Sequence, residues 1–146
     1  MISRAEPTEE AVAHIAFHLK DSDRIELADY GLGYDEMVHL PLWSKRPGTI
    51  LWLAEDGEPV GVGGLDDESP WLFTTNRITQ LRVSAHREAK ALIAEWVEKK
   101  GRIWNYVSTE NLDSCLWLHA LGASFSSETY RFSPTGGTFR MFSWGE

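Results

Sequence analysis

A chain of 146 residues, 42% hydrophobic and 25% charged, fits one globular domain over residues 1–146 that buries its own core, and excludes collagen-like, coiled-coil and wholly disordered architectures. The formal net charge of -8 argues against a nonspecific nucleic-acid binder, which needs a basic face to neutralise phosphates. The single cysteine, Cys115, excludes an intramolecular disulfide and a cysteine-based zinc site; with no apolar signal core after Met1 and no run near the ~18 apolar residues of a membrane span, a reducing compartment is expected.

Pro7-Thr8-Glu9-Glu10 sets an N-cap candidate and two acids ahead of Val12, Ile15, Ala16 and Leu19, which recur as one helical face. That spacing predicts a first helix, preceded by a very short strand. Residues 23–30 continue as helix, Gly31 and Gly33 interrupt, and residues 34–40 are expected to form another short helix stopped by Pro41. Residues 49–54 and 59–64 read as a hairpin turning at Asp56-Gly57. Asp66-Asp67-Glu68, the longest acidic run, is expected to be a solvated loop.

Residues 71–74 and 78–83 are the next strand candidates, with Asn76 as a turn residue between them. Ser84 is expected to cap a long helix that buries Ala85, Ala89, Leu92, Ile93, Trp96 and Val97 and ends near Gly101. A strand over 102–107, a short helix over 111–121 closed by Gly122, and a hairpin pairing 125–132 with 138–144 complete a mixed α/β order. His14 and His18 lie four apart with no further ligand at a recognisable interval, so a solvated helix face is expected and no metal. Cys115 reads as a small core residue, and most of the seven tryptophans as core.

Two stretches carry a resemblance. Ala54-Glu55-Asp56-Gly57-Glu58-Pro59-Val60-Gly61-Val62-Gly63-Gly64 is similar to the turn and small, glycine-rich strand of the GNAT N-acetyltransferase superfamily, and Asn111, Ser114, Leu118, Gly122 and Ala123 fall at the spacing of its fourth helix. More closely, residues 81–142, above all Ile103-Trp104-Asn105-Tyr106-Val107 with Leu121-Gly122-Ala123-Ser124-Phe125, resemble the internal virion protein A and acetyltransferase-like proteins of short-tailed phages.

The resemblance implies a strongly bent mixed β-sheet flanked by helices, with a C-terminal β-hairpin, the Ser84 helix on one face, and residues 78–83 parallel to 103–107. It implies acetyl-CoA as a cosubstrate, held where the fourth and fifth strands splay, with the pantetheine on the backbone of the fourth strand, here Gln80-Leu81-Arg82-Val83. The pyrophosphate would meet the following helix start at Ser84, His86 and Arg87, where the superfamily has a glycine-rich loop. The chain passes from Val83 into the helix with no glycine and about five fewer residues than that pattern. The expected cofactor contacts are therefore Leu81, Arg82, Val83, Ser84, His86, Arg87 and Asn111.

No catalytic residue is assigned. The glutamate of the superfamily's fourth strand corresponds to Gln80, which cannot accept the amine proton, and its tyrosine corresponds to Leu118. His119 is adjacent, but one helical residue turns its side chain about 100 degrees away. Two functions are open at this point: a phage-encoded GNAT-like protein with a degenerate acetyl-CoA site, binding a virion component or a host protein in the infected cell's cytoplasm or the virion; and an active N-acyltransferase modifying an amine or a protein lysine.

Overall fold

A computed structural model describes residues 1–29, 44–132, 134 and 136–146. The helix expected over 34–40 lies outside the described residues. The first strand, β1 (Ser3–Ala5), leads to α1 (Glu9–Phe17), whose N-terminus is capped by the Thr8 hydroxyl accepting from Ala11 N at 3.2 Å. A second helix, α2 (Asp21–Asp29), follows directly. Strands β2 (Ile50–Leu53), β3 (Pro59–Asp66) and β4 (Ser69–Thr74) form antiparallel neighbours in the order β1-β2-β3-β4. The β2–β3 turn needs Gly57, at φ 88°.

Helix α3 (Arg82–Lys100) ends on Gly101 in a left-handed conformation at φ 82°. A second antiparallel ladder follows, in the order β5 (Arg102–Ser108), β7 (Phe139–Gly145), β6 (Ser124–Phe125), with α4 (Leu112–Ala120) between β5 and β6. The expected terminal hairpin is thus present, with a first arm far shorter than residues 125–132. Its long arm instead runs beside the whole of β5.

Side-chain alternation puts the first sheet between two helices. Leu51 and Val62 pack with Val12, Ile15, Ala16 and Leu19 of the α1 side, while Trp52 and Val60 pack with Ala85, Ala89 and Leu92 of α3. Val60 and Val62 face opposite ways because the register slips: Trp52 pairs with Gly61 but Leu53 with Pro59, which leaves Val60 as an extra residue. Gly61 is packed closely against Trp52, since a Cβ there would stand 3.1 Å from its Cε3 and the ring would have to give way.

Two expectations are corrected here. Residues 78–83 are not a strand: Asn76–Gln80 form a single 3-10 turn and α3 begins at Arg82. Ile78 and Leu81 are three apart, so a helical turn brings both to the core, and Val83, which a strand would bury, is 75% exposed. Ser84 does not cap α3. It lies inside the first turn, after the cap position Leu81, and its hydroxyl accepts from Ile2 N at 2.6 Å, tying β1 to α3.

Candidate functional site

The two sheets meet at a vertex. Trp104 N donates to Glu68 O at 3.0 Å and Asn105 Nδ2 to Pro70 O at 2.8 Å. The contacts advance together along both chains, 68 with 104 and 70 with 105, so β4 and β5 run in the same direction. The parallel pair expected of 78–83 and 103–107 is not formed: 78–83 is not a strand, and β4 and β5, though they run the same way where they meet, belong to separate antiparallel ladders. Thr75 N donates to Val60 O on the β3 side, so by the two-residue alternation the peptide groups of Pro70, Leu72 and Thr74 face β5.

Beyond the vertex the strands splay, and the start of the chain fills the open end. The Thr74 carbonyl accepts from Lys20 N at 2.8 Å, and Thr74 N donates to the Asp23 carboxylate at 3.0 Å. One turn along α2, Glu26 Oε1 accepts from Ser108 N at 2.8 Å and from Asn111 Nδ2 at 3.2 Å. Helix α2 thus places one carboxylate on the end of β4 and another on the end of β5, in the manner of side-chain caps.

Between the splayed strands, α3 and α4 lies a cavity of about 210 Å³. Trp52, Trp71, Trp96, Trp117 and Trp144 contribute to its wall, together with Leu92, Leu118, Asp23 and Glu26. Lys20 also lines it, with its ammonium bound to Asp113 Oδ2 at 2.7 Å. Burial pushes the Asp23 carboxyl up to about 6, against the opposing effects of the Thr74 amide and the Lys20 charge. The Lys20 hydrogen bond holds Asp113 below the ordinary carboxylate range.

The residues expected to hold a cofactor divide into two places. Leu81, Arg82, Val83, Ser84, His86 and Arg87 lie together at the start of α3. Arg82 Nε donates to Thr79 O at 3.3 Å, Ser84 is taken by Ile2, and Arg87 is exposed. Asn111 is 2% exposed and lies across the cleft, where its side chain caps α4 by accepting from Ser114 N at 3.2 Å.

The connection from β4 to α3 runs over residues 75–81 and contains no glycine. Its arginine, Arg77, binds Asp56 and Glu58 at 2.8 and 2.9 Å. Gln80 is exposed on the 3-10 turn and not on the fourth strand, which carries no acid. Leu118 lines the cavity, His119 is exposed, and the half-buried Cys115 thiol, raised by burial, approaches Ser108 O at 3.5 Å. The rings of His14 and His18 stack at 4.2 Å.

Sequence reasoning missed Asp23, Glu26, Thr74 and Asn105. The spacing of Asp23 and Glu26, three apart on one helix, was the available signal for the first pair.

Comparison with known proteins gives three kinds of match. The sequence matches the family described as "Bacteriophage T7, probable scaffold protein Gp13" over residues 49–130, more than half of the chain. It is 31% identical over 90 residues to the probable scaffold protein gp13 of Escherichia phage T7, a stretch spanning 59% of this chain and 62% of that protein. The chain thus covers less than two thirds of its relative.

Among solved structures, the fold matches a putative acetyltransferase from Acinetobacter baylyi with a TM-score of 0.68, 15% identity and coverage of 100% and 92% of the two chains. It matches the spermidine N-acetyltransferase of Vibrio cholerae, in complex with CoA and spermine, with a TM-score of 0.67 and 10% identity over 99% and 95%. The ribosomal-protein-S18-alanine N-acetyltransferase of Escherichia coli gives 0.66 and 13% over 99% and 94%. The fold is that of the GNAT acetyltransferases.

Proposed function

The chain belongs to the family of the bacteriophage T7 probable scaffold protein Gp13, and from that premise we propose that it is a phage scaffold on a GNAT fold, with a degenerate acetyl-CoA site, that works by binding a virion component. The observation that carries this reading is the occupied end of β4. A GNAT cofactor pairs its pantetheine with the fourth strand's backbone, and both peptide groups of Thr74 that face the splay are already bonded to Lys20 and Asp23. A cofactor would have to break those bonds and lie beside the Asp23 and Glu26 carboxylates, while CoA itself is anionic.

The start of α3 supports the same reading. The Ser84 hydroxyl is bound to β1, Arg77 is bound to two acids, and the connection has no glycine through which its backbone could approach a pyrophosphate. Among the described residues no helix is long and apolar enough to cross a membrane. Titration of acetyl-CoA by calorimetry is the test. The expected result is no saturable heat below about 1 mM, with recovery of a virion structural protein when the tagged chain is captured from infected cells; low-micromolar affinity overturns the reading.

One observation favours the second reading, an active N-acyltransferase of an amine or protein lysine. Asp23 is a carboxyl with a value near 6 at the splay, the range in which a general base removes an amine proton. On that reading labelled acetyl groups pass from acetyl-CoA to a primary amine, and Asp23→Asn abolishes the transfer. Arg87 at the start of α3 would then meet the pyrophosphate, and Arg87→Ala would weaken CoA binding about ten- to a hundredfold.

A further inference from the structure

The chain carries 22 acids against 14 lysines and arginines, so a basic side chain taken out of water should find a carboxylate. Arg4 and Arg77 each bind two. Arg140 of β7 is ion-paired with none of the described residues: its side chain is half-buried, its Nε is shielded from water, and that N–H has no acceptor among them. An enclosed donor on a charged group is costly when unmet, so folded proteins pair it. Arg140 stands opposite the buried Val107 in the β5–β7 ladder. Its charge reaches Cys115 of α4, where it opposes the rise that burial and Glu26 cause in the thiol.

A second guanidinium shares this face. Tyr130 and Phe139 are bridged by reciprocal N–H to O bonds of 2.8 and 2.7 Å. The rings of Tyr130 and Phe132 both pack on Tyr106, and Phe132 also meets Phe139. Arg131 and Arg140, each one residue beyond a bridged partner, therefore lie on the opposite face, on a diagonal of about 7–8 Å. Arg131 is exposed, and its Nη1 donates to the Gly136 carbonyl at 2.7 Å and not to an acid. We propose that Arg131 and Arg140 form a docking site for a carboxylate, presented by an acidic side chain of a partner protein. The edge of a guanidinium, with Nε–H beside Nη–H, matches the two oxygens of a carboxylate. A carboxylate brings one negative charge, whereas a polyphosphate would be repelled by a chain of net charge -8. Neither arginine lines the cavity between β4 and β5, so the site goes beyond the reading of that cleft and does not depend on whether acetyl-CoA binds.

The test follows the Arg140 Nε–Hε signal in nitrogen-15 NMR spectra of the whole chain while sodium propionate, propionamide or sodium phosphate is added at matched ionic strength. Propionate, which reproduces the end of a glutamate side chain, should shift the signal saturably. Propionamide, its neutral counterpart, should not, and phosphate should bind no more tightly than propionate. Arg140→Gln should weaken propionate binding, read at the Arg131 Nε–Hε signal, about tenfold, and Arg140→Lys, which keeps the charge and loses the fork, should weaken it nearly as much. Equal responses to propionate and propionamide, no saturable shift at Arg140 below about 200 mM, or undiminished affinity in Arg140→Gln overturns the site. Tighter binding of phosphate than of propionate overturns the assignment to an acidic side chain. Should Arg140→Gln fail to fold, the ligand series on the unmodified chain still decides.

Discussion

Asp23 is held ionised at neutral pH against its surroundings. Burial raises its folded value from 3.8 to about 6, so between those values the native state binds more protons than the unfolded chain, and stability from this group falls as pH rises. The penalty is complete above pH 6, amounts to about 3 kcal/mol at most for a shift of about 2 units, and is relieved as pH drops towards 4. The charges that bear on it are Lys20 from the segment joining α1 to α2 and Asp113 from α4, and Glu26 of α2 lines the same cavity. Asp23→Asn should therefore raise the thermal midpoint at pH 7.5 and give no gain at pH 4; a gain of equal size at both pH values would show that the carboxylate carries no such penalty. Asn111 has the opposite character, because its side chain both caps α4 and donates to Glu26. Asn111→Ala should cost about 2 kcal/mol in urea unfolding, from the lost cap and the lost bond to the half-buried Glu26 carboxylate. Asn111→Asp should recover the cap while setting a second acid beside Glu26, so its deficit shrinks at pH 4. Asn111 was legible as a helix cap, since Asn before an apolar helix is a local signal. Its bond to Glu26 was not, because 85 residues separate the two in the chain.

Among the elements, those with punctuation of their own were readable from sequence. Thr8 before two acids marked α1, Asp56-Gly57 marked the β2–β3 turn, and Gly101 and Gly122 marked helix ends. Residues 78–83 failed because a short apolar stretch has no period long enough to separate a strand from a helical turn. With that strand absent, the residues expected to hold a cofactor, Leu81 to Arg87, fall at the start of α3 and not on a strand. Ser84 carries a prediction at this level. Its hydroxyl is the acceptor for Ile2 N, so Ser84→Ala should cost about 1 kcal/mol and speed amide exchange at Ile2 far more than within α3. Unchanged exchange at Ile2 would show that β1 is held by its pairing with β2 alone. Arg87→Ala should leave the unfolding midpoint in urea unaltered within error, as expected for an exposed side chain.

At the scale of the molecule, two antiparallel ladders are joined at a narrow vertex and again through α2 at their far ends. The vertex depends on Asn105, whose side chain reaches Pro70 O where a proline strand offers no N–H of its own. Asn105→Ala should cost about 1–3 kcal/mol, and it should weaken the coupling between ladders. The measurable sign is that unfolding followed by tryptophan fluorescence and by circular dichroism, coincident in the unmodified chain, separates into two curves in the variant. Coincident curves in both proteins would place the coupling in the helices instead. The overall order of elements was legible because local patterns sum to it; the splay was not, since it arises from two strands that are distant in sequence and from a helix that neither strand announces.

On the proposed non-catalytic reading, the bonds that α2 makes to Thr74 and Ser108 also bear on how acetyl-CoA binding could be introduced. Grafting a glycine-rich connection in place of residues 75–81 would supply amides for a pyrophosphate, yet the pantetheine track would still be closed by Asp23. Relaxing Asp23 and Glu26 alone would open the track with nothing to hold the phosphates. Each half of the repair is silent without the other, so acetyl-CoA binding should emerge only in the combined variant. On that reading the change is a joint step and not a staircase, and a laboratory selection that samples one substitution at a time should not find it.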